Sequence, residues 1–394
     1  MADSVARRAT IEDLVERLTI GVVGTTRKPD ERRRPVHPAH LDRIDVAVRE
    51  HLLFERGYGE PFGVEDDEIA RHVSGVVDRA ELLERAEVVL MPKPLAADVA
   101  EMRPGQVLWG WPHLVQDPEV TQLAIDRRLS VIAWESMNHW NADGSYSLHV
   151  FHLNNEIAGY AAVIHALQLR GATGHYGRQL RAAVISFGAT ARGAVRALDA
   201  MGVHDVEVIT QRDSPAVAAP FANVVMGRFE RLADDPSRAR VLRRGGPQAT
   251  QDFLAEHDIV VNCVLQDTTA PLVFADDPFA FAPGTIVVDV SVDEGMGFSW
   301  SRPTSFADPM FTVGDQVHHY AVDHTPSLYW ESATWTISEA LLPYLDVVQR
   351  GPATWSDDPT ISRALEIEDG EVRNERILAF QHRASSHPHA VRSS

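Results

Sequence analysis

The stretch that most narrows what this chain can fold into is residues 182–212, A-A-V-I-S-F-G-A-T-A-R-G-A-V-R-A-L-D-A-M-G-V-H-D-V-E-V-I-T-Q-R. The apolar run Ala182 to Phe187 has the character of a strand buried on both faces, and it breaks at Gly188 into a short turn. Val195, Leu198 and Met201 then recur at helical spacing, Gly202 supplies the stop, and Val206 to Ile209 reads as a second buried strand. Strand, tight turn, helix and strand together form the unit in which a helix N-terminus, with unpaired N–H groups and a dipole, holds a dinucleotide pyrophosphate.

Two of the usual three glycines are present. Gly188 and Gly193 take the positions of the tight turn and of close helix-to-strand packing, while Thr190 stands in the middle, with Ala191 and Arg192 completing the turn. Read alone, the pattern suits a nucleotide turn and a plain Gly-containing βα turn equally. The end of the second strand favours the nucleotide. Where an NAD site carries an acid for the ribose 2′-hydroxyl, this chain has Thr210-Gln211-Arg212, a hydroxyl and a cation suited to a 2′-phosphate. NADPH is therefore preferred to NADH.

At 394 residues the chain is long for one core and comfortable for two domains. A net charge of −19 argues against nucleic acid, and it suits either a small cationic substrate or solubility alone. A single cysteine, Cys263, excludes an internal disulfide and fits a reducing compartment. No apolar stretch has the length of a membrane span, and Met1 to Glu16 lacks a signal-peptide core, so a cytoplasmic protein is expected. The expected partners are small molecules, with neither nucleic acid nor membrane, no metal, and a homo-oligomer left open.

Four passages share one scheme, an apolar strand followed by an ionisable group. Leu18 to Val23 leads into a loop, 24–38, that carries Arg32, Arg33 and Arg34. Three successive arginines suit a solvated face, but a loop directly after a strand is also where α/β proteins bind ligands. Glu87 to Met91 leads to Lys93, fixed between Pro92 and Pro94; Val107 to Trp109 leads to His113; Val131 to Trp134 leads to Glu135. A lone histidine among tryptophans suits packing, whereas four such groups at successive strand ends suit a site. Residues 141–153 read as a short ribbon, Glu156 to Arg170 as a long amphipathic helix, and Ile259 to Leu265 and Thr285 to Val290 as buried strands. A further helix is expected from about Trp330 to Tyr344. Residues 213–250 are expected to hold a helix or two, and the tail from about 370 to be mobile.

Four motifs, G-A-T-A-R-G-A from 188, V-N-C-V-L-Q-D-T from 261, D-V-S-V-D-E-G-M-G from 289 and A-V-D-H-T-P-S-L-Y-W from 321, carry a resemblance. The chain from about Ile20 to about Leu345 resembles the alanine dehydrogenase, transhydrogenase and saccharopine dehydrogenase superfamily, and within it most the opine-forming carboxyethylornithine synthases. The resemblance implies an α/β protein of two Rossmann-like doubly wound domains. A substrate domain of residues 1–153 plus 327–394 would enclose a dinucleotide-binding domain of residues 154–326. It also implies Lys93 and His113 as the catalytic pair, Arg33 as the carboxylate-binding arginine and Asp293 near the nicotinamide. Glu135 joins Arg33 as a substrate group. The cofactor would meet Gly188, Thr190, Ala191, Arg192, Gly193, Thr210, Arg212, Val264, Leu265 and Asp293. Two features depart from the NAD-linked members: Thr190 with Thr210 and Arg212 at the cofactor, and Gly110-Trp111-Pro112, which brings bulk close to the substrate.

The implied reaction joins a diamino acid, ornithine or lysine, to a pyruvate-like 2-oxo acid and reduces the imine with NADPH. Arg33 fixes the carboxylate, and Lys93 and His113 move the protons, a lysine beside another cation in a partly dry cleft losing its proton more readily. Asp293 orients the nicotinamide or balances charge. Amino-acid dehydrogenation with ammonia uses the same groups, and a non-catalytic NADP-binding regulator is the reading from another class.

Overall fold

A computed structural model describes residues 17–211, 224–266, 270–292 and 294–392. By its internal contacts the chain divides into two compact units, residues 1–151 with 334–394, and residues 152–333. The first unit begins with strands β1 (Ile20–Val22), β2 (Leu52–Glu55) and β3 (Gly75–Val77), helix α1 (Arg79–Arg85) and strands β4 (Val88–Met91) and β5 (Val107–Gly110). Helix α2 (Pro118–Asp126), strand β6 (Ser130–Ala133) and a ribbon of β7 (Asn138–Trp140) and β8 (Tyr146–His149) follow. The second unit opens with helix α3 (His152–Leu169), strand β9 (Arg181–Ile185), helix α4 (Ala189–Ala200) and strand β10 (Asp205–Thr210). It continues through β11 (Val224–Arg231), β12 (Ala239–Arg243), β13 (Gly246–Ala249), β14 (Ile259–Asn262), β15 (Val273–Ala275), β16 (Thr285–Asp289), β17 (Gly297–Phe298), β18 (Met310–Val313) and β19 (Val317–Tyr320). Helix α5 (Trp330–Gln349) leads back to the first unit, which ends with β20 (Leu365–Glu368), β21 (Glu371–Val372) and helix α6 (Glu375–Phe380). Among the described residues no helix is long and apolar enough to cross a membrane.

Each unit is built on one sheet. The first has the order β21-β20-β6-β5-β4-β1-β2-β3 and the second β13-β12-β11-β10-β9-β14-β16-β19-β18. Six neighbouring strands of the first sheet, from β6 to β3, run parallel, as do six of the second, from β11 to β19. The uninterrupted apolar runs follow from this, because a parallel sheet is covered on both faces. Val88 and Leu90 enter one core while Val89 and Met91 enter another, and in the second unit Ala182 and Val184 separate in the same way from Ala183 and Ile185.

In both sheets the chain builds outward on one side and then returns to the other. The reversal falls between β1 and β4 in the first unit and between β9 and β14 in the second. At such a reversal the flanking loops leave the strands' carboxyl ends in opposite directions and open a crevice.

One expectation is answered in part and another fails. Of the stretch expected to hold a helix or two, residues 213–223 lie outside the described residues, and 224–249 hold no helix; they form β11, β12 and β13, an edge meander whose alternating charged residues face solvent. The described tail, residues 371–392, is ordered. Strand β20 pairs antiparallel with β6 and with β21 through a turn at Asp369 and Gly370, both at positive φ, and Ile377 of α6 is fully buried.

Candidate active site

The register of the first sheet sets Val22 beside Leu90, Leu90 beside Trp109 and Trp109 beside Ile132, so the carboxyl ends of β1, β4, β5 and β6 lie side by side. The four ionisable groups expected from the sequence leave these four ends.

After β1, Arg33 is only 4% exposed. Its Nε and Nη2 donate to the two carboxylate oxygens of Glu31 at 2.8 and 2.6 Å, and its backbone N–H donates to Glu31 Oε1 at 3.0 Å. The guanidinium lies 4.9 Å over the ring of Trp111. Burial alone would push the Glu31 carboxyl up, but Arg33, by charge and hydrogen bonds, and Lys93, by charge, bring it down to about 2. Trp111, whose bulk the sequence set close to the substrate, is 6% exposed and packs edge-on against Trp134 (4.5 Å) and Phe151 (5.1 Å), so it supports Arg33 from below. The rest of the arginine run divides: Arg34 is buried over Tyr58 and donates to the Gly24 carbonyl, while Arg32 is exposed.

After β4, Lys93 is 8% exposed, and its charge acts on both Glu31 and Glu135. After β5, His113 sits in the left-handed region at φ 49°, a strained place for a side-chain-bearing residue. That turn lets its backbone N–H donate to Glu135 Oε1 at 2.9 Å while its Nδ1 stands 3.2 Å from the same oxygen. Burial pushes the Glu135 carboxyl up to about 8, helped by the charge of Glu366. Glu135 Oε2 is buried and has no hydrogen-bond partner among the described residues. Glu366, itself pushed up by burial, is held by Ser136 Oγ at 2.6 Å and Asn374 Nδ2 at 2.9 Å. The cluster therefore holds a firmly ionised carboxylate, a carboxyl that keeps its proton at neutral pH, two cations and an imidazole.

The second unit contains the nucleotide-type turn. Gly188 is the N-cap of α4 and offers no side-chain cap, so the first N–H groups of the helix face outward for a ligand. A Cβ built on Gly188 would meet nothing within 4 Å, which leaves room for a phosphate group there. Gly193 has a different reason from the one expected. Its Cβ would stand 1.7 Å from the Glu156 carbonyl of α3, and that of Gly159 1.9 Å from the Thr190 carbonyl, so the glycines serve a helix-to-helix crossing, not helix-to-strand packing. Arg192 lies 5.6 Å over Phe187 and 3.9 Å from Glu156. Thr190 and Ala191 form the first turn of α4, Thr210 is buried at the end of β10, Val264 follows β14, and Leu265 is 93% exposed, open to an apolar ligand face. These features fit a dinucleotide. Arg212 and Asp293 lie outside the described residues.

The structure thus brings Arg33, Lys93, His113 and Glu135 together in one unit and the described cofactor residues around the strand ends of the other. Sequence reasoning gave Glu31 no role of its own and missed Glu366. Glu31 carried a signal, an acid two residues before the arginine; Glu366 reaches the site only through the pairing of β20 with β6.

Residues 22–158 match the family model described as "Alanine dehydrogenase/PNT, N-terminal domain", and residues 175–375 match "Alanine dehydrogenase/PNT, C-terminal domain". The alanine dehydrogenase of Mycobacterium tuberculosis is 26% identical over 375 residues, covering 90% of this chain and 95% of the relative. The N(5)-(carboxyethyl)ornithine synthase of Clostridium botulinum is 22% identical over 340 residues, covering 81% and 94%. A solved structure named L-alanine dehydrogenase superposes with a TM-score of 0.72 at 20% identity, covering 92% of this chain and 99% of that one, and so shares the fold.

Proposed function

The chain belongs to the alanine dehydrogenase/PNT family, and from that premise we propose that it is a nicotinamide-dependent oxidoreductase that reduces the imine formed between a 2-oxo acid and an amine. The observation that carries this reading is the contact of His113 with Glu135 beside Lys93 and Arg33 at four adjacent strand ends.

A 2-oxo acid arrives as an anion. Arg33 and Lys93 stand against one firmly ionised carboxylate, Glu31, so the cluster keeps a positive charge for that anion while Glu135 is protonated. Glu31 holds the guanidinium flat on Trp111, and Lys93 and Arg33 together fix the substrate carboxylate. The amine arrives protonated, since its unperturbed value is near ~10, and it must lose that proton to attack the carbonyl carbon. His113 accepts it. Glu135, protonated below about pH 8, gives a proton to the carbinolamine oxygen, which leaves as water. The Nδ1 to Oε1 contact of 3.2 Å lets the pair restore its protons. When bound, the nicotinamide supplies the hydride. Arg192, Thr210 and the N-terminus of α4 would hold its phosphates and ribose, and Val264 and Leu265 its apolar face, with Arg212 and Asp293 as sequence-based members of that set.

The finer reading is NADPH-dependent condensation of a pyruvate-like oxo acid with ornithine or lysine, supported by Thr210-Gln211-Arg212 and by the Clostridium relative. A second reading, alanine-type dehydrogenation with free ammonia, is supported by the Mycobacterium relative. Oxidation of NADPH and NADH across a matrix of oxo acids and amines, with ammonia as a control and mass spectrometry of the product, separates them. A secondary amine carrying both carboxylates supports condensation, and the simple amino acid supports the dehydrogenase. Tight NADPH binding without turnover for any pair rejects both in favour of a regulator.

A further inference from the structure

Beneath the loops that follow β14 and β16 lies a buried polar network that the proposed chemistry does not use. Asp289, fully buried at the end of β16, accepts from Asn262 Nδ2 (3.0 Å) and the Val292 N–H (3.3 Å) at Oδ1, and from Ser301 Oγ (2.6 Å) at Oδ2. His319 is fully buried as well, with Nε2 3.7 Å from Asp289 Oδ2 and 3.5 Å from Ser301 Oγ. Its Nδ1 accepts from Trp300 Nε1 at 3.2 Å, which leaves the ring proton on Nε2, directed at Asp289 and Ser301. Burial, and then Arg302, hold this imidazole down to about 3, so it serves as a neutral donor.

The network spans both loops. Asn262 accepts the Val264 N–H at 3.3 Å through its side chain and the Val290 N–H at 2.9 Å through its carbonyl, and Ser291 Oγ donates to the Val264 carbonyl. Val292 lies at φ 57°, where a β-branched side chain is strained. Its N–H is nonetheless held by Asp289. A buried carboxylate in a site of this kind is costly unless its oxygens are satisfied, and here the donors are the groups that fix the two loops.

We propose that Asp289 is the positioning residue for the reactive end of the cofactor, tying the loops after β14 and β16 into one surface and holding Val292 in its left-handed turn. This rests on the reading of the second unit as the nucleotide-binding one. Its physical claim concerns the ligand-free protein: the latch exists to keep a strained turn in place.

The test is a double-mutant cycle of Asp289→Asn with Val292→Gly, because glycine takes positive φ without strain and has no need of the latch. In ligand-free protein, Asp289→Asn is expected to speed amide hydrogen exchange at residues 262–266 and 290–292 by roughly tenfold, and much less in the Val292→Gly background. Ser301→Ala, which removes one donor only, should show the same pattern more weakly, and it stands in if Asp289→Asn does not fold. With NADPH present, turnover should fall by roughly tenfold while NADPH affinity, read by nucleotide fluorescence, changes less than threefold. Equal exchange effects in both backgrounds, or no local change at all, overturn the latch. If the exchange pattern appears but the wild type binds neither NADPH nor NADH, the latch stands as a fold device and its assignment to a cofactor is overturned.

Discussion

Glu31 and Glu135 belong to the same unit, follow strands three apart in one sheet, and both lose solvation to the protein around them, yet one carboxyl is driven down to about 2 and the other up to about 8. Burial acts on both in the same direction. The difference lies in the partner: Glu31 is gripped by the fork of Arg33, whereas Glu135 faces an imidazole, a backbone N–H and a second buried acid, Glu366. Burial makes a carboxyl sensitive and the neighbour decides the sign. Two acids pushed apart in this way divide the labour of a site, one a permanent anion and the other a proton carrier.

The largest effect should come from the groups between the two acids. Lys93→Met, which takes a cation from the carboxylate clamp, and His113→Ala, which takes away the proton acceptor, are each expected to lower turnover by on the order of 10²-fold or more, with little change in cofactor affinity. Steady-state kinetics with a nucleotide-binding titration checks this. Near-normal turnover would leave the paired acids without a reaction to serve.

Next comes the ionised member. Glu31→Gln removes one partner of a buried ion pair and should destabilise the protein by about 3 kcal/mol at neutral pH. Because the folded value of Glu31 lies below its ordinary 4.5, its contribution is present above that pH and is lost as pH falls through about 2. Urea midpoints of wild type and variant should therefore converge toward acid. A constant gap would mean that Arg33 does not hold Glu31 ionised.

Glu135→Gln probes the opposite case, with an expected loss on the order of 10²-fold at neutral pH, the low end of general-acid help. Here the folded value is raised, so the group favours the folded state below 4.5 and that advantage is lost as pH rises through about 8. The catalytic counterpart is a falling rate above about 8 that the variant lacks. An unchanged alkaline limb would assign that limb to another group. The smallest effect is expected from Arg33→Lys, which keeps charge but loses the fork; KM for the oxo acid should rise roughly fivefold while NADPH affinity holds. The same rise in Arg32→Lys, without one in Arg33→Lys, would move the clamp along the loop.

What the sequence disclosed followed from distance along the chain. Lys93, His113 and Glu135 stand within a few residues of strand ends, so apolar runs alone located them, and the parallel register did the rest. Glu366 comes from a strand laid against β6 from far along the chain, which no local pattern announces. The hairpin that carries it was signalled by Asp369-Gly370, but the flanking runs are short and charged and read as tail. The strands between 224 and 249 were hidden for a related reason: an edge meander with one solvated face has no apolar run to reveal it. At the cofactor turn the glycines were visible, but whether Gly193 met a strand or a helix depended on α3, a separate element.

The antiparallel seam between β6 and β20 also bears on the order in which the protein is made. Strand β6 leaves the ribosome early, but its partner is translated only after the whole second unit, a delay on the order of tens of seconds at ordinary elongation rates. Throughout that interval the first sheet presents an open edge of Val131, Ile132 and Ala133 to other nascent chains, whereas the strands of the second unit follow one another within residues 152–333 and wait for no later partner. Nascent-chain aggregation, if it occurs, should therefore track the first unit, and slowing translation before Leu365 should worsen it.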